Sequence, residues 1–314
     1  MSITRYLWYK PQLEVNAVLI NVTGAQLHGT LKAWCPYTNK DLSLDQTSSE
    51  HIVPLSLGGS NAFQLPVYHD FNSKTAAKID AKMSNEFAVM FRRSAFDARG
   101  QSKAPPTPML RHGRLGDGRP VQISFVKDEG IKVFDPRQRR VLNEKELEGL
   151  SLEGKFSIER NTRMKFMCKA ALSAGYFVYG DYFRANFEHS ALRAVMNFDP
   201  SKGIDPDCKI RLYDEFSVIH NEDREQTAIS ERLCKDTAGS CIHFLPGEES
   251  VGIVFGILGQ WIGTLNVPAR TDGFDWIDEH DLGHAVLLEG RTLRQLSYRQ
   301  LAREHLARLG KDTA

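Results

Sequence analysis

Glu50 and His51 stand side by side in a short apolar run, followed by Gly58-Gly59 and then by Asn72 at the mouth of a basic, helix-like stretch. A carboxylate, a base and an amide in that order can gather around one phosphate, which is the chemistry of metal-assisted phosphodiester hydrolysis. An unperturbed imidazole titrates near neutrality, so His51 suits a general base that takes a proton from water. Glu50 and Asn72 are hard donors of the kind that an open divalent-cation site uses, with water and phosphate completing the shell. On a strand, neighbouring side chains point to opposite faces, so Glu50 and His51 reach one ligand only where the strand ends or twists. Pro54 predicts such an ending.

The elements that must position these groups follow from the pattern. Ile52, Val53 and Leu55 predict extended, partly buried backbone that holds the imidazole in one rotamer. The glycine-rich reversal from Leu55 to Asn61 returns the chain as a second strand over 63–68, giving a hairpin with His51 near its tip. From Asn72 onward Ala76, Ala77, Ile79, Met83, Phe87 and Met90 recur at three and four residues, the period of an amphipathic helix with Asn72 at or near its N-cap. Asn72 also reads as a plain cap, and Asn61 as an ordinary turn residue. His69 and Asp70 read as exposed polar residues, with His69 the reserve ligand.

Glu50-His51-Ile52-Val53-Pro54, the Gly58-Gly59 turn, Asn72-Ser73-Lys74 and Lys78-Ile79-Asp80-Ala81 resemble the HNH endonucleases of the ββα-metal class, in the branch with Glu-His in place of Asp-His. The similarity covers residues 35–81. It implies Glu50 and Asn72 as metal ligands, His51 as general base and Asn61 as the nearest candidate for the central Asn that steadies the hairpin, with Phe63 or Gln64 closer to the expected spacing from Asn72. The cofactor implied is one divalent ion, magnesium or manganese first, nickel or zinc as alternatives, bound to a non-bridging phosphate oxygen and the leaving 3′ oxygen. The products implied are 5′-phosphate and 3′-hydroxyl ends on DNA. Many relatives also carry a structural zinc on two Cys-x-x-Cys pairs. Here the corresponding positions are Cys35, Thr38, Tyr68 and Phe71, so no structural zinc is expected, and Trp34, Tyr68 and Phe71 are predicted to fill its place.

Composition bounds the rest. The chain has 314 residues, net charge +1 and 25 % charged residues, values of a globular protein long enough for two modest domains. The near-zero balance hides a local bias: between Lys74 and Arg119 ten Lys or Arg (74, 78, 82, 92, 93, 99, 103, 111, 114, 119) face four acids (80, 86, 97, 117). Lys74, Lys78, Arg92 and Arg93 are the leading candidates for phosphate contacts, against the simpler reading of a solvated helix face. Five scattered cysteines suggest no disulfide framework, and Cys208, Cys234, Cys241 and His243 match no tight zinc knuckle. No apolar run has membrane-spanning length, so a cytoplasmic protein with no membrane partner is expected.

The fold class predicted is α+β: a nuclease unit over 1–100, a Pro/Gly-rich connector over 101–120, and a mixed α+β domain over 121–314 for targeting, sensing or homo-oligomer formation. Strands are predicted over 15–22, 121–126, 131–134, 210–213, 241–245, 252–258 and 261–267, the last two as a hairpin. Helices are predicted over 143–150, 163–178, 181–196 and 292–309, the last for docking, dimer contact or phosphate binding. The role expected is a DNA endonuclease of restriction, phage defence or a mobile element. The alternative is a nucleic-acid-binding or ligand-sensing protein with a degenerate hairpin.

Overall fold

A computed structural model of the chain describes residues 4–6, 19–21, 32–100, 106–199, 201, 208–214, 221–237, 239–271, 284–290, 292–297, 299–301, 303–304 and 307. The fold is α+β. Of the strand expected over 15–22, Leu19–Asn21 is described and pairs with Thr4–Tyr6, while the remainder lies outside the described residues. Two antiparallel hairpins follow, Lys32–Cys35 with Lys40–Ser43 and Thr47–His51 with Gln64–Tyr68. The loop of the second begins with the short turn Leu55–Leu57 and closes on Gly58, whose φ of 79° favours glycine. A Cβ on Gly59 would stand 1.7 Å from the Val53 carbonyl oxygen, so both glycines are required for the reversal.

The chain then enters a helix earlier than predicted, at His69–Phe71, passes through the π-helical segment Asn72–Ala76 and continues as Ala77–Ser84. Asn72 is therefore inside the helix, with helical φ and ψ of −58° and −53°, and is not its cap. Phe87–Ala95 forms a second helix.

The stretch expected to be a connector, 101–120, contains the strand Met109–Leu115. It belongs to a five-stranded antiparallel sheet ordered Arg140–Val141, Gly130–Asp135, Pro120–Val126, Met109–Leu115, Leu152–Glu153. Leu115, Val121, Ile123, Val133 and Leu142 give this sheet a small core of its own. The helix expected over 143–150 is the short Glu144–Leu147, capped reciprocally by Asn143 and Glu146.

The centre of the molecule is the helix Arg160–Tyr179. Fourteen of its twenty residues are buried, among them the charged Arg163 and Lys169. Its surroundings join the hairpin, through Ile52, Leu57, Leu65 and Val67, to a six-stranded sheet, through Ile242, Phe244, Ile253, Phe255 and Leu265, in one continuous core. The boundary read in the sequence thus separates chain segments without separating their cores. The six-stranded sheet is antiparallel throughout, ordered Arg211–Tyr213, Gln260–Pro268, Ser250–Ile257, Cys241–Pro246, His284–Glu289, Thr292–Ser297. Its far face packs Val254 and Trp261 against Cys234 of the helix Asn221–Asp236.

Two segments differ from expectation for local reasons. The helix predicted over 181–196 is two helices, Asp181–Asn186 and His189–Met196, because Phe187 makes a β-bridge to Ala269 and Glu188 N–H donates to the Pro268 carbonyl at 2.9 Å. The start of the helix predicted over 292–309 is instead the edge strand Thr292–Ser297, entered through Gly290 at φ 57°. Among the described residues no helix is long and apolar enough to cross a membrane.

Candidate functional site

His51 ends its strand and pairs across the hairpin with Gln64. Directly paired residues share a face, so His51, Ser49, Gln64 and Pro66 lie on one side and Glu50, Ser48, Leu65 and Val67 on the other. The first side is open, with Ser49 and Pro66 exposed and His51 and Gln64 half-buried. The second faces the core, where Glu50 is only 7 % exposed.

Two amides hold the imidazole. His51 Nε2 lies 2.8 Å from Asn61 Oδ1 and 3.1 Å from Gln64 Nε2. Gln64 Nε2 also donates to the Asn61 carbonyl oxygen at 3.1 Å, and the Ser49 hydroxyl donates to Gln64 Oε1. A ring nitrogen donates when protonated and accepts when bare. Asn61 Oδ1 therefore suits the protonated Nε2 and the Gln64 amide suits the bare one, so both states of a proton-accepting imidazole have a partner. Asn61 is where the sequence predicts a steadying amide. Spacing back from Asn72 points equally to Phe63 or Gln64 for that role, and Gln64 is the one that stands opposite His51 in the hairpin register.

Asn72 ties the helix to the strand: its Nδ2 donates to Ser48 Oγ at 3.0 Å and to the Ser49 carbonyl oxygen at 3.5 Å. It does so from a π-helical turn, an irregularity that recurs at functional sites because it re-aims one side chain.

Glu50 corrects the sequence reading. It does not share a face with His51, because strand alternation turns it inward. There its Oε1 lies 2.5 Å from Lys169 Nζ, and Tyr37 Oη donates to it at 3.5 Å. The same ammonium donates to Asp80 Oδ1 at 2.8 Å and Oδ2 at 2.9 Å. Burial pushes the Asp80 carboxyl up to about 6, with Lys169 opposing and Glu50 reinforcing the rise. Burial works against the Lys169 charge, but Asp80, Tyr37 and Glu50 together hold its pKa above the ordinary value. Burial also raises the Tyr37 phenol. Lys169 and Asp80 were not anticipated; the available signal was a lone lysine inside the apolar run Phe166 to Ala174.

The remaining candidates divide. His69 is exposed and pairs with its neighbour Asp70 at 3.5 Å, so nothing draws it toward His51. Lys74 and Lys78 are exposed, Lys74 reaching Asp70 at 3.2 Å. Arg92 is half-buried. Arg93 is a second correction: it is 7 % exposed and donates to the Ser84 carbonyl at 3.1 Å, so it braces two helices rather than facing a phosphate. At the positions where the sequence predicts no structural zinc, Cys35 Sγ accepts the Tyr68 N–H at 3.3 Å and Phe71 meets Tyr37 at 5.5 Å between ring centroids. Trp34 is buried in the core against which Tyr68 and Phe71 pack, and its ring also meets Tyr176 at 4.8 Å.

A further buried cluster lies on the six-stranded sheet. The Cys234 thiol hydrogen-bonds Cys241 and, with His243, holds the Cys241 thiol below its ordinary range. Burial opposes charge on His243, yet Cys241 and Glu289, the latter 3.2 Å away, raise it to about 9. Among the described residues no three His, Cys, Asp or Glu are placed to hold a metal ion, here or at the hairpin.

Comparison with protein-family models, with curated proteins and with solved structures finds no significant match to this chain.

A hard divalent cation favours carboxylate oxygens. The open face of the hairpin offers His51, Ser49, Asn61 and Gln64, neutral donors all, while the carboxylate of Glu50 is engaged by Lys169. As placed, these side chains do not fit a carboxylate-held ion beside His51. What they do provide is a fixed, solvent-facing imidazole with both protonation states partnered, beside a helix bearing exposed lysines.

Proposed function

We propose that the hairpin Thr47–His51/Gln64–Tyr68 and the helix that follows it form the hydrolytic site of an HNH-type DNA endonuclease of restriction, phage defence or a mobile element, with His51 as the base that activates water. The single observation that carries this reading is the His51 imidazole, open to solvent and held between Asn61 and Gln64. A proton taken from water by Nε2 exchanges the Gln64 donor for the Asn61 acceptor with no movement of the ring. Lys78, exposed on the adjoining helix, would supply a cation for the phosphate, whereas Lys74 is paired with Asp70. The family resemblance implies a magnesium or manganese ion that the side chains beside His51, as placed, do not hold, and a chelator tests whether cleavage needs one. The test is cleavage of plasmid and linear duplex DNA by the purified chain with magnesium or manganese, with and without chelator, beside His51→Ala.

One observation favours a second reading. The Lys169 ammonium occupies the carboxylate that the resemblance assigns to the metal, as in a hairpin that keeps its fold and binds nucleic acid without cutting it. Undiminished DNA binding with no cleavage under any divalent ion supports that alternative.

A further inference from the structure

Lys74, Lys78 and Lys82 recur at i, i+4 and i+8, so they line one side of the helix that starts at the hairpin, and all three are exposed. At 1.5 Å per residue this ridge runs about 12 Å from the neighbourhood of Asn72. Its far end opens into a cleft of about 490 Å³ between the helix, the five-stranded sheet and the entry to the helix Arg160–Tyr179. The cleft takes Lys82 from the first, Arg111 and His112 from the second, and Lys155 and Phe156 from the third.

The chemistry of the cleft is uneven in a specific way. Lys82, Arg111 and Lys155 are exposed and have no ion-pair partner among the described residues. Two acids also line it. Glu86 is neutralised by Arg163, whose Nε lies 3.0 and 3.1 Å from the two carboxylate oxygens. Glu159 accepts from the Thr162 hydroxyl at 2.9 Å and has no ion-pair partner among the described residues. Three cations thus face one free carboxylate. Among them stands Phe156, 52 % exposed, its ring centroid 5.0 Å from that of Phe87 behind it. An exposed aromatic ring braced by a second ring, in a cleft that three cations line, is the kind of platform on which an unpaired base stacks.

We propose that this cleft binds a single-stranded segment of nucleic acid, one base stacked on Phe156 and its phosphates held by Lys82, Arg111 and Lys155. The inference rests on reading the hairpin as a nucleic-acid site, and the lysine ridge makes the two ends of one track. Bases inside a duplex are already stacked on one another and offer Phe156 no free face, whereas a frayed end, flap or flipped base does. The substrate class is therefore DNA with a locally unpaired strand.

The test is fluorescence anisotropy with labelled oligothymidylate and with a labelled closed duplex, in the full chain carrying His51→Ala so that binding is read without cutting. Phe156→Ala is expected to weaken oligothymidylate at least about fivefold and leave the duplex unchanged, since stacking is lost only where a base is free. Arg111→Ala with Lys155→Ala, both on exposed positions, is expected to lower the slope of log affinity against log salt by about 1.4 for two lost single-strand phosphate contacts. Unchanged oligothymidylate binding in both variants overturns the proposal, as does displacement of the oligonucleotide by polyglutamate at equal charge, which would make the cleft a site for acidic polypeptides. Wild-type protein that cuts no DNA while still binding oligothymidylate through Phe156 defeats the nuclease reading alone.

Discussion

Lys169 Nζ lies 2.5 Å from Glu50 Oε1 and 2.8 Å from Asp80 Oδ1, so one lysine of the central helix neutralises two carboxylates of the hairpin and its following helix. Arg163, two turns earlier on the central helix, binds Glu86 in the same manner. The catalytic unit read from the sequence is therefore pinned from outside by a helix of the other half.

Removing Lys169 alone leaves two buried carboxylates without a counter-charge. Lys169→Met is expected to cost about 3–5 kcal/mol, the range for breaking a buried ion pair from one side. Urea unfolding followed by far-UV circular dichroism measures it. Replacing all three groups, Lys169→Met with Glu50→Gln and Asp80→Asn, should restore most of the loss, because burying charge is itself costly.

Acidity adds a signed expectation. The folded-state pKa of Asp80, about 6, stands above its ordinary 3.8 because burial disfavours the charged form. Between those values the native state binds more protons than the unfolded one, so this group's contribution to stability is fully present below 3.8 and is lost as pH rises through about 6. Thermal midpoints across that window should fall less steeply in Asp80→Asn than in the wild type. Identical slopes would remove Asp80 from the linkage.

Asn61 and Gln64 divide the support of His51 between its two protonation states. Asn61→Ala is expected to lower the rate by up to about a hundredfold and to shift the pH profile toward a weaker base, because the protonated ring loses its acceptor. Gln64→Ala frees the neutral ring to turn and should reduce kcat with little change in KM. Single-turnover rates against pH distinguish the two effects from a common loss of folding.

Arg93 and Lys78 should behave oppositely although both are basic residues of adjoining helices. Arg93→Ala is expected to cost about 1–3 kcal/mol of stability, the penalty of removing a buried donor, with no change in DNA affinity. Lys78→Ala should leave stability alone and lower the salt slope of DNA binding by about 1. Denaturation and binding titrations on the same two proteins check both.

How much of this was legible depends on the range over which each feature is determined. Glu50-His51, the Gly58-Gly59 turn and the alternation of Leu65 and Val67 fix a hairpin within a few residues of one another, and that hairpin is present. The hairpin of Ser250–Ile257 and Gln260–Pro268 was equally local, although its turn falls on Leu258-Gly259, both at positive φ, one residue before the Gly259-Gln260 that the sequence suggests. The strand Thr292–Ser297 was misread because Leu293 and Leu296, three apart, imitate one face of a helix, while its pairing with His284–Glu289 sets the outcome. The inward turn of Glu50 followed from strand period alone. Its partner did not, because Lys169 lies far along the chain and only the packed core brings the two together.

The role of His51 is tested most directly by cutting. Purified wild-type chain and His51→Ala, matched for fold by circular dichroism and for DNA affinity by anisotropy, are incubated with supercoiled plasmid and magnesium or manganese. The expected result is nicked or linear product from the wild type and a rate lower by about 10²–10⁴ in the variant, the usual contribution of a general base. Equal rates from the two proteins, or intact plasmid with both, would contradict a hydrolytic role for the imidazole between Asn61 and Gln64.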